Sequence, residues 1–373
     1  MNEDRLLKTF LDLVQIDSPS KQEADVANYC AHVLEDCGCN VKFDTGGIEA
    51  GSNTGNLYAY LPGTMDGCII ITAHMDCVVP CENVKPVIRD NIIYSDGSTV
   101  LGGDDKVGIA SILEAVRCCA ESDTPHRSIK VIFTVQEEIG CFGSKAFNAP
   151  DFFDGEPCYV FDMDGKPGCI VCGAPYHYTF EAKFNGKASH AGVAPEKGIN
   201  AIAAAACAID AMSKQGILGR VKENCASNVG RIEGGTRDNI IPDCCKLTGE
   251  CRAVNKDDVE EVKAAMTAAL NDAANKHGAK VEISWQLEYS GFMLSEDDET
   301  VQLFCKAARF AGLEPSCEVS AGGSDANVFA TKNTSPCVVG TGMTNFHSLD
   351  EQLSIEDLNN TAKLAYALAC CKE

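Results

Sequence analysis

Hydrophobic positions along the chain follow two different periods. In some segments apolar residues recur every three to four positions, as in an amphipathic helix, and in others they form short runs typical of buried strands. The predicted helices are residues 6–14, 23–34, 106–120 and 354–371, and the predicted strands are residues 56–61, 68–73, 129–135, 159–161 and 337–339. This alternation predicts an α/β fold in which a sheet carries helices on both faces.

The segment from Tyr176 to Ser290 has a different pattern. It contains predicted strands at 178–184, 245–254 and 280–287 and predicted helices at 198–212 and 257–275. Glycine and proline residues that favour turns flank the segment, and the first pattern resumes after it. We therefore expect an inserted, smaller α/β domain of βαββαβ type at residues 176–290, within a larger domain formed by residues 1–175 and 291–373.

Composition and charge restrict the class of protein. The chain has 373 residues, of which 45% are hydrophobic, and this is enough for a sizeable core. Its 54 acidic and 31 basic side chains give a formal charge of -23, which disfavours binding to nucleic acid or to an anionic membrane surface. The apolar runs are shorter than the roughly 20 residues of a membrane span, and the N-terminus lacks a signal-peptide pattern. We expect a cytoplasmic protein.

The chain contains 22 cysteines, an unusual number for such a protein. They occur as adjacent pairs, such as Cys118-Cys119, and as single residues within apolar runs, without the spacing of a disulfide framework. The one C-x-x-C sequence, from Cys169 to Cys172, lies in a strand-like run, and no second pair follows at the spacing of a zinc ribbon. We predict reduced thiols that pack as small hydrophobic side chains.

Acidic and histidine side chains stand where the predicted strands end or the next helix begins. These residues are His74 with Asp76, Asp104 with Asp105, Glu137 with Glu138, Asp162 with Asp164, and His347 in a late loop. Each motif alone has a structural explanation, such as a helix cap. However, adjacent acids at the end of a buried strand are costly unless a positive charge compensates them. Because parallel strands end at one edge of a sheet, the repeated pattern indicates a common ligand site.

Taken in order along the chain, these motifs resemble the co-catalytic dinuclear zinc exopeptidases, which include peptidase T, the glutamate carboxypeptidases and the aminoacylases. The motifs are HMD at 74–76, GGDDK at 102–106, QEE at 136–138, the acid after the strand at 159–161, ASHAG at 188–192, GGSDAN at 322–327 and NFHS at 345–348. The resemblance is strongest to the peptidase T-like branch and covers essentially the whole chain. It implies the zinc-exopeptidase type of sheet with an inserted dimerisation or lid domain.

The resemblance also implies a pair of divalent metal ions, with Zn2+ expected before Co2+ or Mn2+. The implied ligands are His74 and Asp162 for one ion, Glu138 and His347 for the other, and Asp104 as the bridge between them. Glu137 would be the general base, and Asp76 would orient His74. Asp164 stays open as the alternative to Asp162, because both residues follow the same strand.

On the substrate side, the resemblance implies that His190 donates a hydrogen bond to the oxyanion, typically in the active site of a dimer partner. Asn239 resembles a polar contact to substrate, and Arg237 and Arg252 are weaker candidates for binding a substrate carboxylate. Many relatives carry arginine directly before the GGSD motif, where this chain has Ala321. A substrate carboxylate would therefore be held in another way, or not at all.

The leading hypothesis is a metallo-aminopeptidase that removes N-terminal residues from tripeptides or other short peptides. The alternative is an amidohydrolase that deacylates N-acyl amino acids, for which the α-amine of the substrate must be blocked. A binding protein without catalysis is disfavoured, because Glu137 would be of little use for metal binding alone. Other enzyme classes lack their motifs, namely the H-E-x-x-H helix, the G-x-S-x-G elbow, the Walker loop and an intact G-x-G-x-x-G.

Overall fold

A computed structural model describes residues 1–372, so Glu373, the last residue of the predicted larger domain, lies outside the described residues. The helices are α1 Glu3–Val14, α2 Ala24–Asp36, α3 Gly46–Glu49, α4 Gly103–Glu121, α5 Phe142–Ala146, α6 Ala201–Lys214, α7 Lys256–His277, α8 Glu299–Phe310, α9 Asp325–Phe329 and α10 Ile355–Cys370. Every helix predicted from the hydrophobic pattern overlaps one of these.

The strands include each of those predicted from apolar runs. They are β1 Asn40–Phe43, β2 Leu57–Leu61, β3 Cys68–His74, β4 Val87–Arg89, β5 Ile92–Tyr94, β6 Ser128–Thr134, β7 Pro157–Met163, β8 Cys169–Ala174, β9 Tyr176–Asn185, β10 Gly219–Lys222, β11 Cys225–Gly234, β12 Cys244–Ala253, β13 Lys280–Tyr289, β14 Phe292–Met293, β15 Ser316–Val319, β16 Ser335–Gly340 and β17 Gln352–Ser354.

The chain forms two compact units, each with its own hydrophobic core. The first unit consists of Met1–Cys172, Leu294–Glu318 and the described residues from Ser324 onwards. The second unit consists of Gly173–Met293 together with the short segment Val319–Gly323. Within the described part of the chain, no helix combines the length and the apolar character needed to cross a membrane.

The central sheet of the first unit is mixed. Strands β6, β3, β7 and β16 lie side by side in that order and run parallel. Strand β2 is antiparallel to β6 at one side, and β8 is antiparallel to β16 at the other. The expected α/β fold is confirmed, but the sheet is not parallel throughout. Antiparallel neighbours need no helical crossover, whereas each parallel pair does.

Helix α4 is the centre of the helical layer of the first unit. It packs on β3, and α1 and α10 pack against it. Ile109, Ile112 and Leu113 of this helix are completely buried in the core. Because α4 is enclosed by neighbours, its first residues are held in a fixed position at the end of the sheet.

The second unit is a five-stranded antiparallel sheet in the order β10-β11-β12-β9-β13, with α6 and α7 packed on it. Phe180, Phe184 and Leu247 are buried under these helices. The element order differs from the expected βαββαβ by an additional strand, because three strands, β10, β11 and β12, lie between the two helices. Most side chains of β11 are exposed, so an apolar pattern could not reveal the strand.

A buried ion pair joins α1 to α4. The carboxylate of Glu114 is fully buried and accepts hydrogen bonds from Arg5 Nε at 2.8 Å, from Arg5 Nη2 at 3.0 Å and from the backbone N–H of Asn2 at 2.9 Å. Burial alone would raise the pKa of Glu114, but the bonds from Arg5 and Asn2 outweigh burial and lower it. Arg5 is therefore the counter-charge that makes this buried carboxylate tolerable.

Arg5→Met is expected to lower the free energy of unfolding at pH 7 by about 2–3 kcal/mol, somewhat below the 3–5 kcal/mol of a fully buried pair, because Arg5 is partly exposed. The pKa of Glu114 is lower in the folded state than in the unfolded state, so the ion pair stabilises the fold fully at pH values above the unfolded-state pKa. This stabilisation is lost as the pH falls through the folded-state pKa. Urea unfolding at pH 7 and at pH 3.5 measures this difference.

The control variant is Lys8→Met, which removes the exposed pair of Lys8 with Asp12 on the same helix. Its stability should stay close to that of the original protein at both pH values. An Arg5→Met variant as stable as Lys8→Met at pH 7 would contradict the role assigned to the Arg5–Glu114 pair.

Candidate metal centre

The predicted metal ligands of the first unit meet at the carboxyl edge of the parallel strands. His74 is the last residue of β3, Asp162 lies near the end of β7, and Glu138 follows β6 after a short turn. Asp104 stands in the first turn of α4, directly after two glycines. His347 comes from the loop that follows β16. The five side chains thus come from five separate segments of the first unit.

Asp104 lies between the two histidines. Its Oδ1 atom is 3.0 Å from His74 Nε2, and its Oδ2 atom is 3.0 Å from His347 Nε2. Gly102 precedes it with a φ of 74°, a left-handed conformation that glycine adopts without strain. Each oxygen of this one carboxylate therefore faces a different imidazole, which is the arrangement required of a bridging ligand.

The other two predicted ligands, Asp162 and Glu138, lie on either side of Asp104, each beside one of the histidines. Asp162 Oδ1 is 3.5 Å from His74 Nε2, and Glu138 Oε2 is 2.9 Å from His347 Nε2. Two ligand atoms that bind a tetrahedral Zn2+ at 2.0–2.2 Å are about 3.3–3.6 Å apart. The donor atoms are thus close to the spacing that a metal ion requires, and nitrogen and carboxylate oxygen are the donors that Zn2+ accepts.

The structure distinguishes the residues in both pairs of neighbouring aspartates. Asp164 is exposed, whereas Asp162 lies beside His74. Asp105 is completely buried and accepts the backbone N–H groups of His74 and Gly108, each at 3.2 Å. Both of its oxygens are therefore engaged by the backbone. Asp104 and Asp162 are the members of these pairs with an oxygen within 3.5 Å of a histidine Nε2, and a carboxylate oxygen of Asp105 lies within 4.8 Å of the ligand atoms of His74 and Asp162.

The electrostatics of the cluster favour a bound cation. Burial raises the pKa of Asp162 to about 7, and burial also raises the pKa of Glu138. For His74, burial lowers the pKa, but the charges of Asp162 and Asp104 outweigh it and hold the pKa well above its usual value. Hydrogen bonds to Asp104 and Glu138 raise the pKa of His347 to about 10. The histidine shifts reflect the carboxylates around them, and the carboxylate shifts reflect the cost of burying a negative charge, so bound divalent ions would compensate both.

Asp76 contacts more than the expected histidine. Its carboxylate is 3.5 Å from His74 Nδ1, while its own backbone carbonyl is closer to that nitrogen, at 2.9 Å. The carboxylate accepts the backbone N–H groups of Glu137 at 2.9 Å and Glu138 at 3.2 Å, and the hydroxyl of Ser20 at 2.6 Å. Asp76 therefore fixes the turn that carries the two glutamates as well as facing His74.

The two adjacent glutamates make different contacts because β6 ends at Thr134, before either of them. Glu138 faces His347, whereas Glu137 Oε1 accepts a hydrogen bond from the thiol of Cys141 at 3.4 Å. Burial raises the pKa of Cys141 well above its usual value, so this thiol stays protonated and remains a donor. The turn thus directs Glu138 to the histidine and leaves Glu137 for another role.

Sequence reasoning missed several residues that support this centre. Cys141 contacts Glu137, and Glu351 accepts backbone N–H groups of the segment that carries Asp104. Asp325 of the GGSDAN motif is buried and accepts the hydroxyls of Ser144 and Thr134. Only Asp325 had a sequence signal, because it stands in one of the resemblance motifs. Glu351 contacts a segment that is distant along the chain. Cys141 contacts Glu137 within a turn of irregular structure.

The predicted substrate-side residues lie in the second unit. The backbone N–H of Ala191, next to His190, donates to the carbonyl of Asn239 at 3.0 Å, so His190 and Asn239 are neighbours. Arg237 is exposed in the same loop region. Arg252 lies on β12 and donates to Glu250 through Nη2 at 2.9 Å. Its guanidinium is therefore already paired with a carboxylate of this chain.

Comparison with known proteins gives a family match. Residues 70–370 match the protein family described as peptidase family M20/M25/M40. The Bacillus subtilis protein YqjE, described as uncharacterized, is 38% identical over 369 residues, which cover 99% of this chain and 98% of the relative. The match therefore extends over both units.

Two solved structures are similar to this chain over nearly its whole length. Aminopeptidase PepT from Bacillus cereus is 39% identical with a TM-score of 0.93, and a tripeptidase from Staphylococcus aureus is 34% identical with a TM-score of 0.93. In both comparisons 99% of this chain and 98% of the other chain are covered.

Proposed function

The chain belongs to peptidase family M20/M25/M40, and from this membership we propose that it is a metallo-aminopeptidase that removes the N-terminal residue from tripeptides and other short peptides. The proposal is carried by the position of Asp104, whose two carboxylate oxygens each lie 3.0 Å from the Nε2 atom of a different histidine. The similarity to an aminopeptidase and to a tripeptidase supports the choice of substrate.

We propose that this chain holds two divalent ions, with Zn2+ as the expected metal. His74 and Asp162 would hold one ion, Glu138 and His347 the other, and Asp104 both. When bound, such ions polarise the peptide carbonyl and make water acidic enough to supply a nucleophile near neutral pH. The side chain of His347 is 45% exposed, so the proposed centre is open to a substrate from solvent.

Glu137 is the proposed general base. It stands beside the proposed ligands, and its carboxylate contacts the Cys141 thiol instead of a histidine. Burial and the charge of Asp162 raise the pKa of Glu137 well above its usual value, which suits a group that accepts a proton and passes it on. It would take a proton from the attacking water and return it to the nitrogen of the leaving fragment.

His190 is proposed to donate a hydrogen bond to the oxygen of the scissile carbonyl. The backbone N–H of Gly192 donates to His190 Nδ1 at 3.2 Å, so in the neutral ring the proton is on Nε2. This nitrogen is then a donor that can stabilise a developing negative charge. We propose that the donor acts in the active site of a second copy of the chain, with residues 176–290 as the dimerisation or lid domain.

Coexpression tests the shared site. Chains carrying His190→Ala and chains carrying Glu137→Gln are given different affinity tags, and the mixed dimer is purified through both tags. In such a dimer one of the two sites combines an intact Glu137 with an intact His190, so about half of the original activity per dimer is expected. A doubly tagged dimer with His190→Ala in both chains is the control. Activity no higher than in that control would contradict the shared site.

Asn239 and Arg237 are the proposed polar contacts to the peptide, and Arg252 is the weakest of the three candidates because Glu250 already neutralises it. Ala321 stands before the GGSD motif, so no guanidinium is present at that position. Of the proposed arginines, Arg237 is therefore the one that would bind a substrate carboxylate. Asn239→Ala and Arg237→Ala should therefore raise KM more than they lower kcat.

The first experiment measures release of free alanine from trialanine by the zinc- or cobalt-loaded protein. N-acetyl-alanine is tested in parallel, because a deacylase needs a blocked amine where an aminopeptidase needs a free one. Turnover of trialanine that stops after metal removal and returns on reloading is the expected result. Cleavage of N-acetyl-alanine without cleavage of trialanine would replace this proposal with the deacylase.

A further inference from the structure

A single loop of the first unit, residues 345–351, contacts Asp104 from two directions. His347 Nε2 is 3.0 Å from the Oδ2 atom of Asp104. At the other end of the loop, Glu351 Oε1 accepts the backbone N–H of Asp104 at 2.9 Å, and Glu351 Oε2 accepts the backbone N–H of Gly102 at 2.8 Å. The loop therefore holds both the side chain and the backbone of the central carboxylate.

The loop is internally tied, so His347 and Glu351 keep a fixed separation. The hydroxyl of Ser348 donates to the carbonyl of Asn345 at 2.6 Å, and the backbone N–H of Glu351 donates to the carbonyl of Ser348 at 3.2 Å. The backbone N–H of Asp350 donates to Ser348 Oγ at 3.2 Å. Movement of Glu351 would consequently be transmitted to His347 as well as to Asp104.

Glu351 is buried to 2% exposure, and burial of a carboxylate is costly unless it is hydrogen-bonded. The two backbone N–H groups that it accepts belong to the start of α4, where helix N–H groups have no partner within the helix. Gly102 precedes α4 without a side chain that could cap them. Glu351 thus supplies from a distant segment the anionic cap that the local sequence lacks.

Gly103 lies between the two residues that donate these N–H groups, and its lack of a side chain leaves room for the Glu351 carboxylate. A Cβ atom on Gly103 would lie 3.0 Å from Glu351 Oε1, closer than nine in ten real Cβ contacts. The carboxylate therefore occupies the space that a side chain at position 103 would need. Residues 102–104 and the Glu351 carboxylate are packed as one unit.

From this geometry we infer that Glu351 is a positioning residue: it fixes Asp104 relative to His347, so that the carboxylate can face two metal ions at once. The inference rests on the proposed function, because it assigns a role at the proposed metal centre. Both carboxylate oxygens of Glu351 are engaged by the backbone N–H groups of Gly102 and Asp104. Glu351 acts through the backbone of residues 102–104.

Glu351→Gln tests the inference. The glutamine carbonyl can accept one of the two backbone N–H groups, but its amide NH2 faces the other as donor against donor. We expect metal affinity, measured by competition with a chelator for Co2+ without peptide, to fall about 10–100-fold, as for other residues that orient metal ligands. In the metal-saturated protein kcat should fall while KM stays within about threefold, because substrate contacts are intact.

The matched control is Asp350→Asn, which removes an exposed carboxylate from the neighbouring position. It should keep the original metal affinity and kcat. If Glu351→Gln keeps both values as well and only melts at a lower temperature, Glu351 is a helix cap without a positioning role, and the inference is wrong.

Gly103→Ala provides the test should Glu351→Gln fail to fold. It retains the carboxylate and displaces it by a few tenths of an ångström, so a smaller loss of Co2+ affinity is expected, and an unchanged affinity would overturn the inference. The metal measurement also separates the two proposals. A protein that binds two ions, loses them in Glu351→Gln and cleaves no peptide would uphold the positioning role and refute the proposed substrate.

Discussion

Glu137→Gln is expected to lower kcat by about 10²–10⁴-fold, the loss typical of removing a general acid–base group. Glutamine has nearly the same size but cannot accept the proton of an attacking water. The backbone at this position should stay in place, because Asp76 accepts the N–H groups of residues 137 and 138 whichever side chain follows. The metal content should therefore be unchanged.

The measurement is kcat on trialanine together with the number of metal ions per chain. Glu138→Gln is the matched comparison, because it makes the same chemical change one residue further along. That variant should lose metal as well as activity, since Glu138 faces His347 at 2.9 Å. If Glu137→Gln retained more than a tenth of the original kcat, Glu137 would not be the general base.

Asp104→Asn is expected to remove activity altogether and to lower the metal content from two ions to fewer than one per chain. Asparagine has one side-chain oxygen, which can face one of the two histidines, and its NH2 group faces the other. Because an NH2 group is a donor and cannot bind a metal ion here, asparagine cannot bind both ions. It also removes one negative charge from the middle of the proposed pair of cations. The effect should exceed the roughly 10–100-fold cost of losing a residue that only orients a ligand.

Asp164→Asn is the control for this substitution, because Asp164 is exposed and follows the proposed ligand Asp162 by two residues. It should bind two ions and turn over trialanine at the original rate. Asp162→Asn, by contrast, should lose the ion on the His74 side. An Asp164→Asn variant that loses metal while Asp162→Asn keeps it would reverse the choice between these two residues.

The pattern of apolar and polar positions is sufficient to predict the strands and helices of the core. The run 68–73 becomes β3 and the run 129–135 becomes β6, with ends that differ by one residue at most. Both strands lie between neighbouring strands and are mostly buried, so most of their side chains are apolar and the run is visible in the sequence. Strand β11 was missed for the opposite reason, since its exposed side chains carry no such pattern.

The identification of the family also came from the sequence, and the match to peptidase family M20/M25/M40 confirms it. The motifs that carry the resemblance, including the predicted ligands at the ends of buried strands, follow one another in order along the chain and can therefore be found in the sequence. The roles of the individual site residues stay predictions, which the variants described above address.

What the sequence determined by itself is the set of strands and core helices, the order of the motifs and the family, because burial and strand ends leave periodic signals in neighbouring residues. Only the tertiary structure showed that Asp162 and Asp164, and likewise Asp104 and Asp105, have different surroundings, since side chains of one type differ only through their neighbours. It alone revealed the hydrogen bond that the backbone N–H of Asp104 donates to Glu351, which joins residues 247 positions apart. A contact between distant segments depends on how the elements pack, and local periodicity contains no record of that packing.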